Sequence, residues 1–264
     1  MKTVLTIAGS DCSGGAGIQA DLKTFMAHGC YGMSVITALT AQNTTGVYGI
    51  EGCTTDFIKA QIDCVFTDIP PDSVKIGMVA SAEIIETIVS GLEKYKPKHV
   101  VIDPVMVATS GSLLLEKTAV TALCTKLLPL ATVITPNLYE AALLSDMDIE
   151  TAEDMMVAAE KISQMVNGYV LIKGGHLEGH ANDLLYVDGQ YHWIEGHRVE
   201  NPNTHGTGCT LSSAIASNLA LGYSVEESVR CSKAFITGAI EDQMDLGKGR
   251  GPLNHCYQME KSKV

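Results

Sequence analysis

An Asn-Thr-His-Gly-Thr-Gly-Cys-Thr segment at residues 203–210 opens a helical pattern that runs on to Leu221. Glycines on both sides of Thr207 let successive backbone N–H groups turn toward one point, and a helix N-terminus adds roughly half a positive charge there. A phosphoryl group in transfer spreads negative charge over its oxygens, and such a cradle stabilises that charge. Gly206, Thr207, Gly208 and Cys209 are therefore the candidate catalytic residues. In the first turn of a helix a thiol pKa falls to about 3.5–7.5, and a thiolate can accept a proton from an attacking hydroxyl. Spacing alone leaves open a plainer reading, a glycine-bent helix start with a buried structural cysteine.

Other candidates follow the apolar runs. Asp103 interrupts Val-Val-Ile-Asp-Pro-Val-Met, and a carboxylate at the end of a buried strand needs a partner or a metal. Lys173 ends Val-Leu-Ile in the same way, where a cation suits a nucleotide phosphate. Asn137 and Glu140 stand three apart, on one side of a helical turn. Their hard oxygens suit Mg²⁺, although a helix cap with a solvated Glu fits the same spacing. The Gly9–Gly17 segment has three glycines in four positions, which lets backbone approach a small flat substrate closely. Its spacing matches neither a dinucleotide fingerprint nor a P-loop, and a flexible turn is the alternative. Asp21 and Gln42 could hydrogen-bond a ring substrate, while a surface Asp is the commoner explanation of the first. His176 and His180 lie among glycines and lack the helix that a zinc pair requires.

Such residues need a frame, and 264 residues can supply one. Near-continuously apolar runs at 4–8, 35–40, 74–79, 100–105, 132–135 and 169–173 read as strands covered on both faces. Helical stripes alternate with them: Ile18, Leu22, Phe25 and Met26; Ile84, Ile85, Ile88, Val89 and Leu92; Met155, Ala158, Ala159, Ile162 and Val166. The alternation predicts an α/β fold, a doubly wound and mostly parallel sheet with helices on both faces. Residues 184–187 and 190–194 flank Asp188-Gly189, the signal of an antiparallel edge hairpin. Helices are expected over 208–221 and 225–244, all within one domain spanning 1–264.

Net charge of −12 argues against nucleic acid as a partner. No apolar run reaches the ~18–20 residues that span a bilayer. The N-terminus reads as a strand, so a cytoplasmic protein acting on a small molecule is expected. The eight cysteines contain no C-x-x-C pair; most read as reduced, buried, small apolar residues.

Assembled, the segments resemble the hydroxymethylpyrimidine and phosphomethylpyrimidine kinases of thiamine biosynthesis, in the ribokinase-like superfamily. The likeness runs from about residue 3 to 252 and is carried by residues 9–24, 38–43, 75–78, 135–140 and 203–210. It implies ATP with Mg²⁺, and phosphorylation of 4-amino-5-hydroxymethyl-2-methylpyrimidine and then of its monophosphate. By motif match, Gln42 would bond the aminopyrimidine, with Gly9, Ala16, Asp21, Met78 and Val105 lining the pocket. Asp103 and Glu140 would organise Mg²⁺, and Asn137, Lys173, Thr207 and Lys233 would contact ATP. Most of the superfamily carries Asp at the place of Cys209, and the family often has Lys at the place of Thr109. Pyridoxal kinase of vitamin B6 salvage is the alternative activity. A homo-oligomer, a dimer, is the expected assembly.

Overall fold

The computed structural model describes residues 1–106, 116–175 and 181–258. Thr109, His176 and His180 therefore lie outside the described residues. Eight strands form the main sheet: β1 (Thr3–Ala8), β2 (Tyr31–Ile36), β5 (Ser73–Ile76), β6 (Val100–Ile102), β7 (Val133–Ile134), β8 (Tyr169–Ile172), β9 (Asp183–Val187) and β10 (Gln190–Ile194). Their order is β10-β9-β8-β7-β6-β5-β1-β2, parallel from β8 through β2 and antiparallel at the β9–β10 edge. Asp188 and Gly189 both adopt positive φ, 48° and 78°, as a tight two-residue hairpin turn demands. The expected doubly wound sheet with its edge hairpin is the observed one.

Neighbouring residues of each buried strand face opposite cores. Val4, Val101, Val133 and Leu171 pack under α1 (Gly17–Ala27), α7 (Thr207–Leu221) and α8 (Val225–Glu241). Leu5, Ile102, Ile134 and Val170 pack under α2 (Thr55–Asp68), α3 (Ala82–Tyr95), α4 (Lys117–Ala122), α5 (Leu138–Ser145) and α6 (Ala152–Ser163). This two-sided burial is why the strands read as continuous apolar runs. Helix α7 is buried from Thr210 to Ala220 and crosses β1, β5 and β6. Its serines make this possible, because Ser212 and Ser217 return their hydroxyl protons to backbone carbonyls four residues back.

Three sequence expectations need correction. The run 35–40 is not one strand: β2 ends at Ile36, and β3 (Ala38–Asn43) leaves the sheet to pair with β4 (Gly46–Gly52) as a separate ribbon. The Gln61 amide of α2 accepts from Ile36 N–H and donates to Ile36 C=O, which seals the end of the edge strand. Met26 does not join the core stripe of α1; it is exposed, and Asp21 turns inward instead. Of the eight cysteines, all free, Cys30 is buried and Cys53, Cys124 and Cys209 are half-buried, while Cys12, Cys64, Cys231 and Cys256 are exposed.

Candidate active site

From β1 the chain passes to β2 on one side and then returns to β5 on the other. Such a reversal opens a crevice at the carboxyl ends of the strands. Gly9 follows β1, Met78 follows β5, Asp103 follows β6, Asn137 follows β7 and Lys173 follows β8. The N-terminus of α7 arrives at the same rim. A Cβ on Gly208 would stand 3.2 Å from Asp103 Oδ2 and 3.4 Å from Lys173 Nζ. Gly206 caps the helix at φ 83°, and a Cβ there would collide with the Gly15 carbonyl oxygen. Gly206 requires glycine for both conformation and contact, while a Cβ on Gly208 would crowd the Asp103 carboxylate. The cradle at 206–209 thus abuts the Asp103–Lys173 pair on one side and the 9–17 loop on the other.

The Asp103 carboxylate is 3% exposed and accepts from Lys173 Nζ at 2.9 Å and Thr135 Oγ1 at 3.0 Å. Glu140 is also 3% exposed. It closes a capping box with Asn137, each side chain accepting the other's backbone N–H at 2.8 and 2.9 Å. It is not solvated, however. Burial pushes its carboxyl up to about 7 against the pull of Lys173, and the Asp103 charge adds to the rise. Two buried carboxylates thus share one ammonium, and a hard divalent cation fits that surplus of oxygen and negative charge. Among the described residues no three-ligand His/Cys/Asp/Glu group forms.

Beneath the cradle lies a buried pair that the sequence reading did not assemble. Lys75 and Asp21 are both fully buried, 2.9 Å apart. Asp21 also accepts from Thr6 Oγ1 at 2.6 Å and Ser213 Oγ at 2.7 Å. Asp21 is therefore not a pocket-lining residue: its oxygens are spent inside the protein, and it anchors Lys75. Burial opposes the Lys75 charge, but Asp21, Cys209 and Asp103 outweigh it and hold the ammonium well above its ordinary value. The thiol of Cys209 goes the other way from expectation. Burial pushes it up to about 11; Lys75 and a hydrogen bond from Gly17 N–H pull it down, while Asp21 and Asp103 add to the rise. A helix N-terminus alone does not make a thiolate where burial opposes the charge and two carboxylates stand near.

The 9–17 loop is held rather than flexible. Asp11, 2% exposed, accepts from Ser13 N–H, Ser13 Oγ, Gly15 N–H, Ala16 N–H and His205 Nε2. Burial opposes its ionisation, but the bonds from His205, Ser13 and Ala16 prevail and keep it well below the usual carboxylate range. Across from it, Gln42 on β3 is partly exposed, and its backbone N–H and C=O both meet the Cys12 thiol, at 3.3 and 3.1 Å. Ala16, Met78 and Val105 are partly exposed, and Met78 packs over Gly9. Lys233 sits apart from this rim group. It donates to Asp183 Oδ2 and Ala181 C=O, both at 2.8 Å, while Asp183 Oδ1 accepts from Gly174 N–H. Two of its three donors thus brace the chain beside Lys173. Thr207, partly exposed, donates to the Thr204 carbonyl. A groove of ≈ 360 Å³ between α2 and α3 shares no residue with these clusters.

Lys75, Asp11 and His205 are the site residues that sequence reasoning missed. One signal was available: Lys75 is a lone charge in an apolar strand, the same argument that singled out Asp103.

A family model for phosphomethylpyrimidine kinase matches residues 11–254. The chain is 50% identical over 261 residues to the hydroxymethylpyrimidine/phosphomethylpyrimidine kinase of Rhizobium meliloti, covering 97% of this chain and 98% of that one. It is 48% identical over 259 residues to a thiamine biosynthesis bifunctional protein of Geobacter sulfurreducens, covering 98% of this chain and 53% of that longer protein. A crystal structure of phosphomethylpyrimidine kinase from Clostridium difficile is 52% identical with a TM-score of 0.82, covering 91% and 100% of the two chains. The ADP complex of Bacillus subtilis pyridoxal kinase is 41% identical with a TM-score of 0.91, covering 98% and 99%.

Proposed function

This chain belongs to the phosphomethylpyrimidine kinase family, and from that premise we propose that it transfers the ATP γ-phosphoryl group to 4-amino-5-hydroxymethyl-2-methylpyrimidine and then to its monophosphate. The observation that carries the reading is the continuity of one rim, from the Gln42 amide past Met78 and Ala16 to the 206–209 cradle and the Asp103–Lys173–Glu140 cluster. In this reading the substrate ring lies at Gln42 and its hydroxyl at the cradle.

Asp103 and Glu140 would hold Mg²⁺, directly or through water, and when bound the ion would neutralise charge on the nucleotide phosphates. Lys173, Asn137 and Thr207 would contact those phosphates, and Lys233 braces the chain beside Lys173 through Asp183 and Gly174. The N–H groups of 207–209 would receive the charge that develops on the transferred group. Cys209 acts as a neutral thiol lining that cradle rather than as a base. Phosphoryl transfer through a loose transition state asks little of a base and much of positioning. Lys75, pinned by Asp21, supplies a fixed positive charge under the cradle.

A second reading, pyridoxal kinase, has one observation in its favour, the likeness to a pyridoxal kinase over nearly the whole chain. The Gln42 amide favours the aminopyrimidine, because its paired donor and acceptor match a ring nitrogen beside an exocyclic amine. Coupled ADP release with both alcohols decides; a much larger kcat/KM for pyridoxal would reverse the ranking.

One sheet with a core on each face supports a single kinase domain. A dimer is favoured by the exposed Leu39, Val47, Tyr48 and Ile50 on the β3–β4 ribbon, and light scattering that reports one 28.1 kDa chain would remove it. Eight free cysteines suit the reducing cytoplasm, against which fractionation into a secreted pool would count. No described helix is long and apolar enough to cross a membrane.

A further inference from the structure

His205 and Asp11 touch neither the carboxylate cluster nor the nucleotide side, yet they join the two segments that face the substrate. His205 immediately precedes the cradle, and its Nε2 lies 2.9 Å from Asp11 Oδ2 and 3.2 Å from Gln42 Nε2. The ring rests on Gly15, where any Cβ would collide with it. Asp11 is buried and accepts four further bonds from the 13–16 backbone and Ser13 Oγ. An ionised carboxylate has no proton to give, so the proton between the pair sits on His205 Nε2.

That assignment has a consequence for Gln42. A protonated Nε2 cannot accept from the Gln42 NH₂ group, and two donors would then face each other. Side-chain amide orientation is set by such bonding logic. Turning the amide over relieves the conflict: Oε1 becomes the second, longer acceptor of the Nε2–H that Asp11 already holds, and the NH₂ group faces the Thr40 hydroxyl, at the position 3.3 Å away. Thr40 can accept there, because its own proton goes to Ser10 C=O at 2.7 Å. Every donor in the chain Asp11–His205–Gln42–Thr40–Ser10 then meets an acceptor.

We infer that the Asp11–His205 pair is a specificity device, a positioning pair that fixes the Gln42 amide with its oxygen toward His205 and its nitrogen toward Thr40. The edge left for a ligand presents an acceptor and a donor in one fixed order. Resting on the pyrimidine reading above, this order places the exocyclic amine of a 4-aminopyrimidine on the His205 side and its ring nitrogen on the Thr40 side. A hydroxypyridine such as pyridoxal has no adjacent amine and ring nitrogen to match it. His205 thus selects the ring without touching the reacting hydroxyl.

Two measurements test this. In the substrate-free wild-type protein, ¹⁵N–¹H correlation of the His205 ring should show Nε2 protonated; an unprotonated Nε2 overturns the inference whatever the substrate is. In kinetics, His205→Leu should raise KM for the aminopyrimidine about tenfold, the effect of losing one orienting hydrogen bond, with kcat nearly unchanged. His205→Gln, which restores an N–H donor near the Nε2 position, should recover most of that loss. The double variant His205→Leu with Gln42→Ala should have a KM within about twofold of Gln42→Ala alone, since the two act as one unit. Multiplying losses in the double variant, or a fall in kcat at constant KM, would refute it. A wild-type protein that phosphorylates no aminopyrimidine would sink the functional reading alone, because the NMR result still judges the network.

Discussion

If Cys209 is neutral in the free protein, the pH dependence of turnover is the place to see it. With the thiol pushed up to about 11, roughly three molecules in 10⁴ carry the thiolate at pH 7.5, and forming it costs about 5 kcal/mol. General-base catalysis contributes about 10²–10⁴ in rate, so that cost would cancel the whole gain. A neutral S–H lining the cradle has no such penalty. The assay is kcat/KM for the alcohol between pH 8 and 10, which reports ionisations of the free enzyme and stays clear of Glu140 near 7. The profile should be flat, and Cys209→Ser, which keeps a neutral donor, should follow it within about tenfold. A rise of about tenfold per pH unit over that window, absent in Cys209→Ser, would show a working thiolate and refute the reasoning.

The buried pair under the cradle should show in stability. Lys75→Met leaves Asp21 charged and buried with only Thr6 and Ser213 as donors, and urea unfolding should show a loss of about 3–5 kcal/mol. Adding Asp21→Asn should return most of it; a single variant as stable as wild type would mean that the pair is not ionised. Glu140 has a folded carboxyl raised to about 7 from 4.5, so its protonated form favours the fold. That contribution is complete below pH 4.5 and is lost as pH rises through 7, about 3 kcal/mol in all. Without metal, Glu140→Gln should therefore raise Tm relative to wild type at pH 8 and not at pH 5, while activity falls. A variant less stable than wild type at pH 8 would contradict the burial argument.

The sheet was legible because both of its faces are covered, which leaves its strands as unbroken apolar runs, and the Asp188-Gly189 turn announced the edge hairpin. The ribbon of β3 and β4 was not. Val35 to Thr40 keeps one apolar character through the point where Gln61, distant in sequence, ends the ladder. Asp103, Lys173 and Glu140 were visible as charges at strand ends or helix starts, and the structure brings them together. Asp21 misled because a polar residue beside an apolar stripe looks exposed until its partner is known. That partner, Lys75, comes from a strand 54 residues away. The thiol of Cys209 misled for a related reason: spacing reveals the helix terminus but not the burial that raises the thiol, nor the carboxylates that add to it.

The central claim is the phosphorylation of a hydroxymethylated aminopyrimidine, and one assay addresses it directly. Coupled ADP release with purified protein, ATP and Mg²⁺ should show its highest kcat/KM with 4-amino-5-hydroxymethyl-2-methylpyrimidine and a second turnover on the monophosphate. Turnover with pyridoxal alone, or no ADP release with either alcohol, would contradict it.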